Sequence, residues 1–207
     1  MTPKAALDRG LGELALALPS DAPGKLMAYL ELLAKWNKTY NLTAIRDPLE
    51  ILYRHFCESM FGARHLPVEN CRLADVGSGG GFPGLPLKIF RPELTVFLVE
   101  SNVKKATFLA EVIRELGLTD ARVLVNRFEE LGEEVAPLDV VCSRALGDFA
   151  SFLAWAASPQ VGAKQALLWL GGRDFEEVRT LPGWSWKEPT PVPKSLQRFI
   201  LLGSRAE

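Results

Sequence analysis

Cysteine is scarce in this sequence, and the three that occur are scattered. Cys57, Cys71 and Cys142 form no Cys-x-x-Cys pair, so the chain has neither the ligand spacing of a zinc ribbon nor a disulfide framework. We therefore expect no metal site and a reducing, cytoplasmic location. The sequence also lacks an apolar run long enough to cross a bilayer, and it lacks the pattern of a secretory leader. We accordingly expect no membrane contact.

An excess of positive charge is missing as well. The 207 residues contain 24 lysines and arginines against 25 aspartates and glutamates, which gives a formal net charge of −1. No global basic field attracts such a chain to nucleic acid, so any RNA contact requires a local patch. Between positions 35 and 64, five basic residues outnumber three acidic ones. This small surplus is the one indication of such a patch.

Hydrophobic residues are plentiful, at 48% of the chain, and from residue 71 onward they follow an alternation of strands and helices. Such alternation predicts an α/β fold with a doubly wound, mostly parallel sheet that carries helices on both faces. The predicted helices are 102–116, 147–157 and 173–181. The predicted strands are 71–76, 94–100, 121–125, 138–143, 164–169 and, as an edge strand, 197–203.

Three further helices are predicted ahead of the first strand. Helical spacing of apolar residues covers positions 3–18 and 25–37, with a break at 19–24. A third helix begins at Pro48, with Asp47 as its cap, and ends between Gly62 and Leu66. We therefore divide the chain into an N-terminal helical extension, residues 1–66, and a compact sheet domain, residues 67–207.

The most informative segment is residues 73–84, Leu-Ala-Asp-Val-Gly-Ser-Gly-Gly-Gly-Phe-Pro-Gly, where an apolar strand meets a glycine-rich turn. Gly77, Gly79 and Gly81 lack a Cβ, so the backbone can turn tightly and approach a ligand closely. Glu100 ends the next strand, 19 residues after Gly81, where a carboxylate can accept hydrogen bonds from ribose hydroxyls. This layout predicts a nucleotide-type cofactor at the carboxyl edge of the sheet.

Two cofactors suit this turn, and a purely structural turn is the third interpretation. The spacing Gly79-x-Gly81-x-x-Gly84 matches a dinucleotide fingerprint, whereas Gly77-x-Gly79-x-Gly81 matches the loop that binds S-adenosylmethionine. Asp75 precedes the first glycine by two residues. A carboxylate there would repel a pyrophosphate, but it suits the cationic sulfonium and ammonium groups of S-adenosylmethionine. We therefore favour S-adenosylmethionine over NAD.

The turn after the third predicted strand faces the adenine in a doubly wound site. Phe128 can cover the ring there, and Glu129 can read the exocyclic amine. The same residues also suit the acidic start of a solvated helix, because carboxylates favour a helix N-terminus. Both interpretations remain open, and we include Phe128 and Glu129 among the candidate cofactor-binding residues.

The end of the fourth predicted strand is where the chemistry is expected. Ser143 and Arg144 stand there, in place of the Asn/Asp-Pro-Pro-aromatic motif typical of amino-group methylases. An arginine can hold a phosphate, a base edge or the cofactor carboxylate. Together with His55, these two residues are the candidate catalytic residues. Cys142 fits a buried strand cysteine better than a nucleophile for C5 methylation.

Several segments together resemble a known family, the bacterial 16S ribosomal RNA guanine-N7 methyltransferase G family, also called glucose-inhibited division protein B. The resemblance covers roughly residues 25–170. It rests on Lys-Trp-Asn-Lys-Thr-Tyr-Asn-Leu-Thr-Ala-Ile-Arg-Asp at 35–47, Arg-His at 54–55, the glycine segment at 75–87, Glu-Ser-Asn-Val-Lys-Lys-Ala-Thr-Phe at 100–108 and Ser-Arg-Ala at 143–145.

The resemblance implies a class I, Rossmann-like methyltransferase that makes N7-methylguanosine in the decoding-region hairpin of 16S rRNA, within the small ribosomal subunit. It also implies that the cofactor is S-adenosylmethionine. We expect a monomer. The chain departs from the family where it has Glu58 instead of Asp and Leu170 instead of Lys. The cofactor-binding residues implied are Gly77, Phe82, Phe128, Glu129 and Arg144, with Glu100 at the ribose.

Two alternatives belong to other functional classes. A NAD-dependent oxidoreductase would require a hydride-transfer site, and the sequence shows no Tyr-x-x-x-Lys motif or catalytic histidine pair to supply one. A non-catalytic, S-adenosylmethionine-sensing RNA-binding protein is suggested by the missing lysine before Gly171. Single-turnover methyl transfer to ribosomal RNA distinguishes this last alternative from an enzyme.

Overall fold

A central sheet organises the computed structural model, which describes residues 1–68, 70–144 and 146–206. The order of its strands is β3-β2-β1-β4-β5-β8-β6, and β7 also pairs with β8. Strands β1 to β5 are parallel, whereas β8 runs antiparallel to β5, β6 and β7. The strands are β1 (Arg72–Val76), β2 (Thr95–Val99), β3 (Ala121–Leu124), β4 (Val140–Arg144), β5 (Gln165–Gly171), β6 (Trp184–Trp186), β7 (Thr190–Pro191) and β8 (Arg198–Arg205).

Helices cover both faces of this sheet, which confirms the predicted fold class. Side chains alternate along each strand, so Leu73 of β1 packs into one apolar layer while Ala74 and Val76 pack into the other. The helices before β1, together with those that follow β1 and β2, cover the first layer, and the helices that follow β4 and β5 cover the second. The helices of the sheet domain are α5 (Gly84–Phe90), α6 (Val103–Glu115), α7 (Phe149–Ala157) and α8 (Gly172–Arg179).

The N-terminal helices pack directly onto the first layer. Tyr29 and Phe56 are fully buried there, and their rings stack at 4.8 Å. The proposed boundary between residues 66 and 67 therefore separates two stretches of sequence that share one apolar core. The helices are α1 (Pro3–Glu13), α2 (Ala22–Tyr40), α3 (Pro48–Ile51) and α4 (Glu58–Phe61), with a π-helical segment at Leu52–Cys57 and a 3-10 turn at Gly62–His65.

Three expectations about the elements are corrected. Helix α1 ends at Glu13, because Ala15 adopts a positive φ of 51° that an α-helix does not admit. The predicted break at 19–24 lies earlier and is longer, since α1 ends at Glu13 and α2 begins at Ala22, with Pro23 in its first turn, where a missing N–H costs nothing. Strand β8 lies inside the sheet and not at its edge, since it pairs with β5 on one side and with β6 and β7 on the other.

The order of the parallel strands reverses at β1, which has β2 on one side and β4 on the other. The connections that leave β1 and β4 therefore diverge, and a crevice opens between their carboxyl ends. The glycine-rich loop, residues 77–81, leaves β1 at this point. The fold thus places the loop where open α/β sheets bind their ligands.

Candidate active site

The glycine-rich loop is held by the neighbouring strand and by Glu100. The backbone N–H of Gly77 donates to the carbonyl of Val99 at 2.9 Å. Glu100 accepts from the N–H of Gly79 at 2.9 Å and from the N–H of Asn102 at 2.8 Å. Each carboxylate oxygen has a second lone pair available for a ligand. Gly79 has a φ of 56°, a left-handed conformation that glycine adopts at no steric cost.

One cavity of about 630 Å³ lies at the carboxyl ends of β1, β2 and β3. We call it the inner cavity, and it brings together Gly77, Glu100, Phe128 and Glu129, four of the candidate cofactor-binding residues. The ring of Phe128 is supported edge-on by Phe152 and Trp155. The cavity is lined by Val76, Gly77, Val99, Glu100, Ser101, Asn126, Arg127, Phe128, Glu129 and Leu146.

A second cavity of about 450 Å³ shares Gly77 with the first. We call it the middle cavity. It brings Phe82, His55 and Arg144 together with Gly77 and Gly79. Its lining is Leu42, Thr43, His55, Gly77, Ser78, Gly79, Gly80, Phe82 and Arg144.

His55 forms one wall of the middle cavity as a neutral imidazole. Burial, with the positive charges of Arg144 and Arg54, lowers its pKa to about 3. Its Nε2 lies 2.6 Å from Thr43 Oγ1, and its ring stacks on Phe82 at 4.5 Å. The Nδ1 atom is buried and has no hydrogen-bond partner among the described residues. His55 is therefore a neutral ring with one buried polar atom that has no partner among the described residues.

Thr43 is a site residue that the sequence reasoning did not single out. Its N–H and carbonyl both bond to the side chain of Asn37, each at 3.0 Å, and Arg46 donates to the carbonyl of Asn37 at 2.8 Å. This network fixes the loop between α2 and α3 so that Thr43 faces His55. The Asn-Leu-Thr sequence at 41–43, used above only for the resemblance, was the available signal.

Arg144 joins the middle cavity to a third cavity of about 520 Å³, which we call the outer cavity. Its guanidinium is largely buried and donates to the carbonyl of Arg54 at 2.7 Å. This bond attaches the end of β4 to the N-terminal helices. The outer cavity is lined by Glu58, Arg144, Trp169, Leu170, Gly171, Asp174, Val192, Arg198 and Phe199.

Two of the predicted site residues are directed away from these cavities. Asp75 is fully buried, and its Oδ2 accepts from the N–H of Gly84 at 2.9 Å. Ser143 is also fully buried and donates to the carbonyl of Val76 at 2.8 Å. The structure therefore gives no support to the expectations that Asp75 faces the sulfonium and that Ser143 is catalytic. Behind the loop, the Asp75 side chain thus connects β1 to the start of α5, and the Ser143 side chain connects β4 to β1.

Gly81 is corrected for a related reason. A Cβ at this position would lie 2.3 Å from the hydroxyl of Tyr29 and 2.5 Å from Leu85. Tyr29 in turn donates a hydrogen bond to the carbonyl of Gly80. Gly81 thus allows the loop to pack on α2 and does not border a cavity. Cys142, fully buried, is the strand cysteine that the sequence favoured, and burial raises the pKa of its thiol.

No helix among the residues described is long and apolar enough to cross a membrane. Within the same residues, no group of three or more histidine, cysteine, aspartate or glutamate side chains could hold a metal ion.

The inner and middle cavities fit the two halves of S-adenosylmethionine. A carboxylate for the ribose, an aromatic ring and an acid beside the adenine position border the inner cavity. The middle cavity, against the loop backbone, has the Arg144 guanidinium and the His55 ring in its lining for the methionine end. Fold and cavities together define a class I, Rossmann-like methyltransferase that uses S-adenosylmethionine.

Comparison with known proteins identifies the family. The family model described as rRNA small subunit methyltransferase G matches residues 23–183. A "Ribosomal RNA small subunit methyltransferase G" of Xanthomonas euvesicatoria pv. vesicatoria (strain 85-10) is 44% identical over 189 residues, 91% of this chain and 87% of that protein. The chain belongs to the rRNA small subunit methyltransferase G family. The NAD-dependent oxidoreductase alternative is therefore wrong.

Solved structures with little sequence similarity share the fold. An S-adenosylmethionine-dependent methyltransferase from Aquifex aeolicus aligns with a TM-score of 0.61 at 14% identity, covering 84% of this chain and 98% of its own. TrmK of M. capricolum, in complex with S-adenosylhomocysteine, aligns with a TM-score of 0.56 at 12% identity, covering 71% of this chain and 66% of its own. Both support the Rossmann-like architecture.

Proposed function

We propose that this protein methylates N7 of a guanine in the decoding-region hairpin of 16S rRNA, with S-adenosylmethionine as methyl donor. Membership of the family supports the ribosomal RNA substrate. The observation that carries the proposal is the position of Arg144, which borders both the middle and the outer cavity. A donor held on the loop side of Arg144 thereby meets an acceptor that enters from the other side.

Different residues of the chain bind different parts of the methyl donor. Glu100 accepts from the ribose hydroxyls, and Phe128 and Glu129 border the adenine. Gly77 and Gly79 let the backbone approach the donor closely, and Phe82 packs His55 against the methionine end. Arg144 pairs with the methionine carboxylate or holds the acceptor base.

Guanine N7 is a nucleophile that carries no proton. When bound, S-adenosylmethionine supplies the methyl carbon. The N7 lone pair forms the new bond to this carbon as the carbon–sulfur bond breaks, and the bonding electrons go to sulfur. Since no proton has to be removed, the reaction requires no general base. A neutral His55 and the inward-facing Asp75 and Ser143 agree with such a reaction. The protein's task is to align the reacting atoms at about 3–3.5 Å.

We assign the contact with RNA to a small group of exposed lysines. The five basic residues counted between positions 35 and 64 contribute less than expected. Arg46 bonds within its loop, Arg54 pairs with Glu50, and Arg64 lies 3.6 Å over the ring of Phe61. Lys35 and Lys38 remain exposed on α2.

One more lysine, on α6, extends this basic group. The ammonium of Lys104 lies 5.7 Å from the ring centroid of Tyr40, at the end of α2. We propose that Lys35, Lys38 and Lys104 contact RNA phosphates next to the inner cavity. We also propose that a cytoplasmic monomer carries out the reaction.

Methyl transfer to unmodified small ribosomal subunits tests the proposal. The protein is incubated with labelled S-adenosylmethionine and subunits that lack the modification, in a single turnover. Borohydride–aniline cleavage then maps N7-methylguanosine. We expect one cleavage site, in the decoding-region hairpin. Labelled cofactor that binds without any transfer would instead support the non-catalytic, cofactor-sensing alternative.

A pair of arginine variants adds a control for the site. Arg144→Gln should reduce the transfer rate by more than about tenfold, because a charged contact beside the reacting groups is lost. Arg122→Gln, at an exposed position of β3, removes the same charge and should leave the rate unchanged. Equal transfer rates for both variants would show that methyl transfer takes place away from Arg144.

A further inference from the structure

The outer cavity has the walls of a binding pocket for one planar base. Trp169 and Phe199 border it with aromatic rings, and Val192 adds an aliphatic side chain. The indole N–H of Trp169 donates to the carbonyl of Glu58 at 2.8 Å, so this wall has a fixed orientation. Flat apolar walls of this kind suit the faces of a purine.

Most of the charge in the outer cavity is already paired. Arg198 binds Glu58 with two hydrogen bonds, at 2.7 and 3.1 Å, and the Glu58 side chain is only 2% exposed. The guanidinium of Arg144 bonds to the carbonyl of Arg54. These groups form the polar part of the cavity lining. Glu58 and Arg198 satisfy each other, whereas Arg144 keeps further N–H donors for the methyl donor or the acceptor.

Asp174 is the exception. It stands in the first turn of α8, is half-buried and lines the cavity. In the part of the chain that the structure describes, its carboxylate has neither a hydrogen-bond nor a salt-bridge partner. A Cβ at Gly171 would lie 3.9 Å from Asp174 Oδ2, so the side chain folds over the end of β5. This leaves one acceptor-only group at the border of an aromatic pocket.

We propose that Asp174 selects guanine as the methyl acceptor by binding its Watson–Crick edge in the outer cavity. Guanine presents two adjacent donors on that edge, N1–H and the N2 amino group, which the two oxygens of a carboxylate can accept together. Adenine presents an acceptor at N1 and is repelled. N7 lies on the opposite side of the purine, so a guanine held in this way directs N7 away from Asp174. The inference rests on the proposed function and names its specificity residue.

The same carboxylate contributes to the rate. Methylation at N7 places positive charge on the purine ring, and this charge makes N1–H a stronger hydrogen-bond donor. A negative group on N1–H is thus bound more tightly in the transition state than in the ground state. We expect Asp174 to affect kcat as well as KM.

The test combines a change in the protein with a change in the base. Small subunits are reconstituted with 16S rRNA that carries either guanosine or inosine at the target position. Inosine keeps N7 and N1–H but lacks the N2 amino group. For the wild-type protein, kcat/KM should be about tenfold or more lower with inosine, as expected for one lost hydrogen bond to a charged group.

The variant Asp174→Asn should methylate guanosine more slowly and should discriminate little between guanosine and inosine. Glu176→Gln, an exposed position on the same helix, makes the same change of charge and should retain the wild-type discrimination. If Asp174→Asn keeps the full preference for guanosine, the inference is overturned.

A binding measurement separates this inference from the proposed function. The affinity of decoding-region hairpins with guanosine or inosine is measured by calorimetry on protein saturated with S-adenosylhomocysteine. If the wild-type protein transfers no methyl group, the proposed function fails. An Asp174-dependent preference for guanosine in binding would still support the pocket, and equal affinities for both hairpins in every variant would refute it.

Discussion

Glu100 and Gly79 are joined by a hydrogen bond of 2.9 Å between the carboxylate and the backbone N–H. They lie 21 positions apart in the sequence, at the ends of neighbouring parallel strands. The acid that would bind the ribose therefore also holds the loop that approaches the cofactor. Changes at either residue should affect cofactor binding. A matched glycine control isolates the effect at Gly79, and a 2′-deoxy ligand isolates the effect at Glu100.

Replacement of Gly79 by alanine should reduce the affinity for S-adenosylhomocysteine by about tenfold or more. The φ of 56° strains an L-residue, and the new methyl group would lie 3.7 Å from the carbonyl oxygen of Gly77, in a loop that lines the middle cavity. Gly117→Ala is the matched control, because its φ is 59° and nothing lies within 4 Å of the added Cβ. Both variants should lose about 1–2 kcal/mol of stability. Calorimetry should find weaker binding only for Gly79→Ala.

Glu100→Gln should weaken cofactor binding by about 1–3 kcal/mol, because polar partners on the ligand and on the loop lose a charged acceptor. A comparison of S-adenosylhomocysteine with its 2′-deoxy analogue isolates the ribose contact. The wild-type protein should prefer the natural ligand, and the variant should bind both almost equally. A preference of unchanged size in Glu100→Gln would remove the ribose role and leave only the support of the loop.

Asp75 should make stability fall as pH rises. Burial raises its pKa to about 7, against the lowering effect of the hydrogen bond from Gly84. Between the unfolded value of 3.8 and 7, the folded state keeps a proton that the unfolded state has released. Raising the pH through this window therefore costs stability. The free energy of unfolding of Asp75→Asn, relative to that of the wild type, should rise by about 2–4 kcal/mol from pH 4 to pH 8. Urea unfolding at the two pH values measures it.

Asp139 provides a control of opposite sign. Partial burial opposes its ionisation, but hydrogen bonds from the Arg72 N–H and from Lys164 leave its pKa below 3.8. Its stabilising effect is present above the unfolded value and is lost as the pH falls through the folded one. Asp139→Asn should thus be more destabilising at pH 8 than at pH 3. Parallel pH curves for the two variants would contradict both assignments.

His55 should remain neutral throughout the physiological range, because burial lowers its pKa to about 3. The chain contains only two histidines, so nitrogen-15 NMR of labelled histidine resolves each ring, and His65→Gln identifies the signals. The His55 nitrogens should show no titration between pH 5 and pH 8. A midpoint near 6.5 would show that the ring is solvated and free to act as an acid or base.

The elements that the sequence predicted well are those that depend on neighbouring residues. Strands β1 and β2 and helix α6 follow from apolar periodicity, and each begins and ends within one or two residues of the expected position. The cap Asn102, whose side chain accepts from Lys104 and Lys105, fixes the start of α6 locally. The position of β8 inside the sheet was missed, because pairing partners are chosen by the tertiary fold.

The direction of a side chain was the main source of error at the site. Asp75 and Ser143 stand at strand ends, as a catalytic residue would, but their side chains bond to Gly84 and Val76 behind the loop. Glu100 also stands at a strand end and borders the inner cavity. Sequence position places all three near the site. The packing of helix α5 and of the neighbouring strands determines which of them a ligand can reach.

Local patterns in the sequence determined the α/β class, the glycine-rich turn and the acid after the second strand, because short-range sterics and periodicity are encoded by adjacent residues. Only the tertiary structure decided that Thr43 meets His55, that Glu58 meets Arg198, and that Asp174 lines the same cavity without a partner among the residues the structure describes. These groups lie far apart along the chain, and they come together because the N-terminal helices and the end of the sheet bury a common apolar layer.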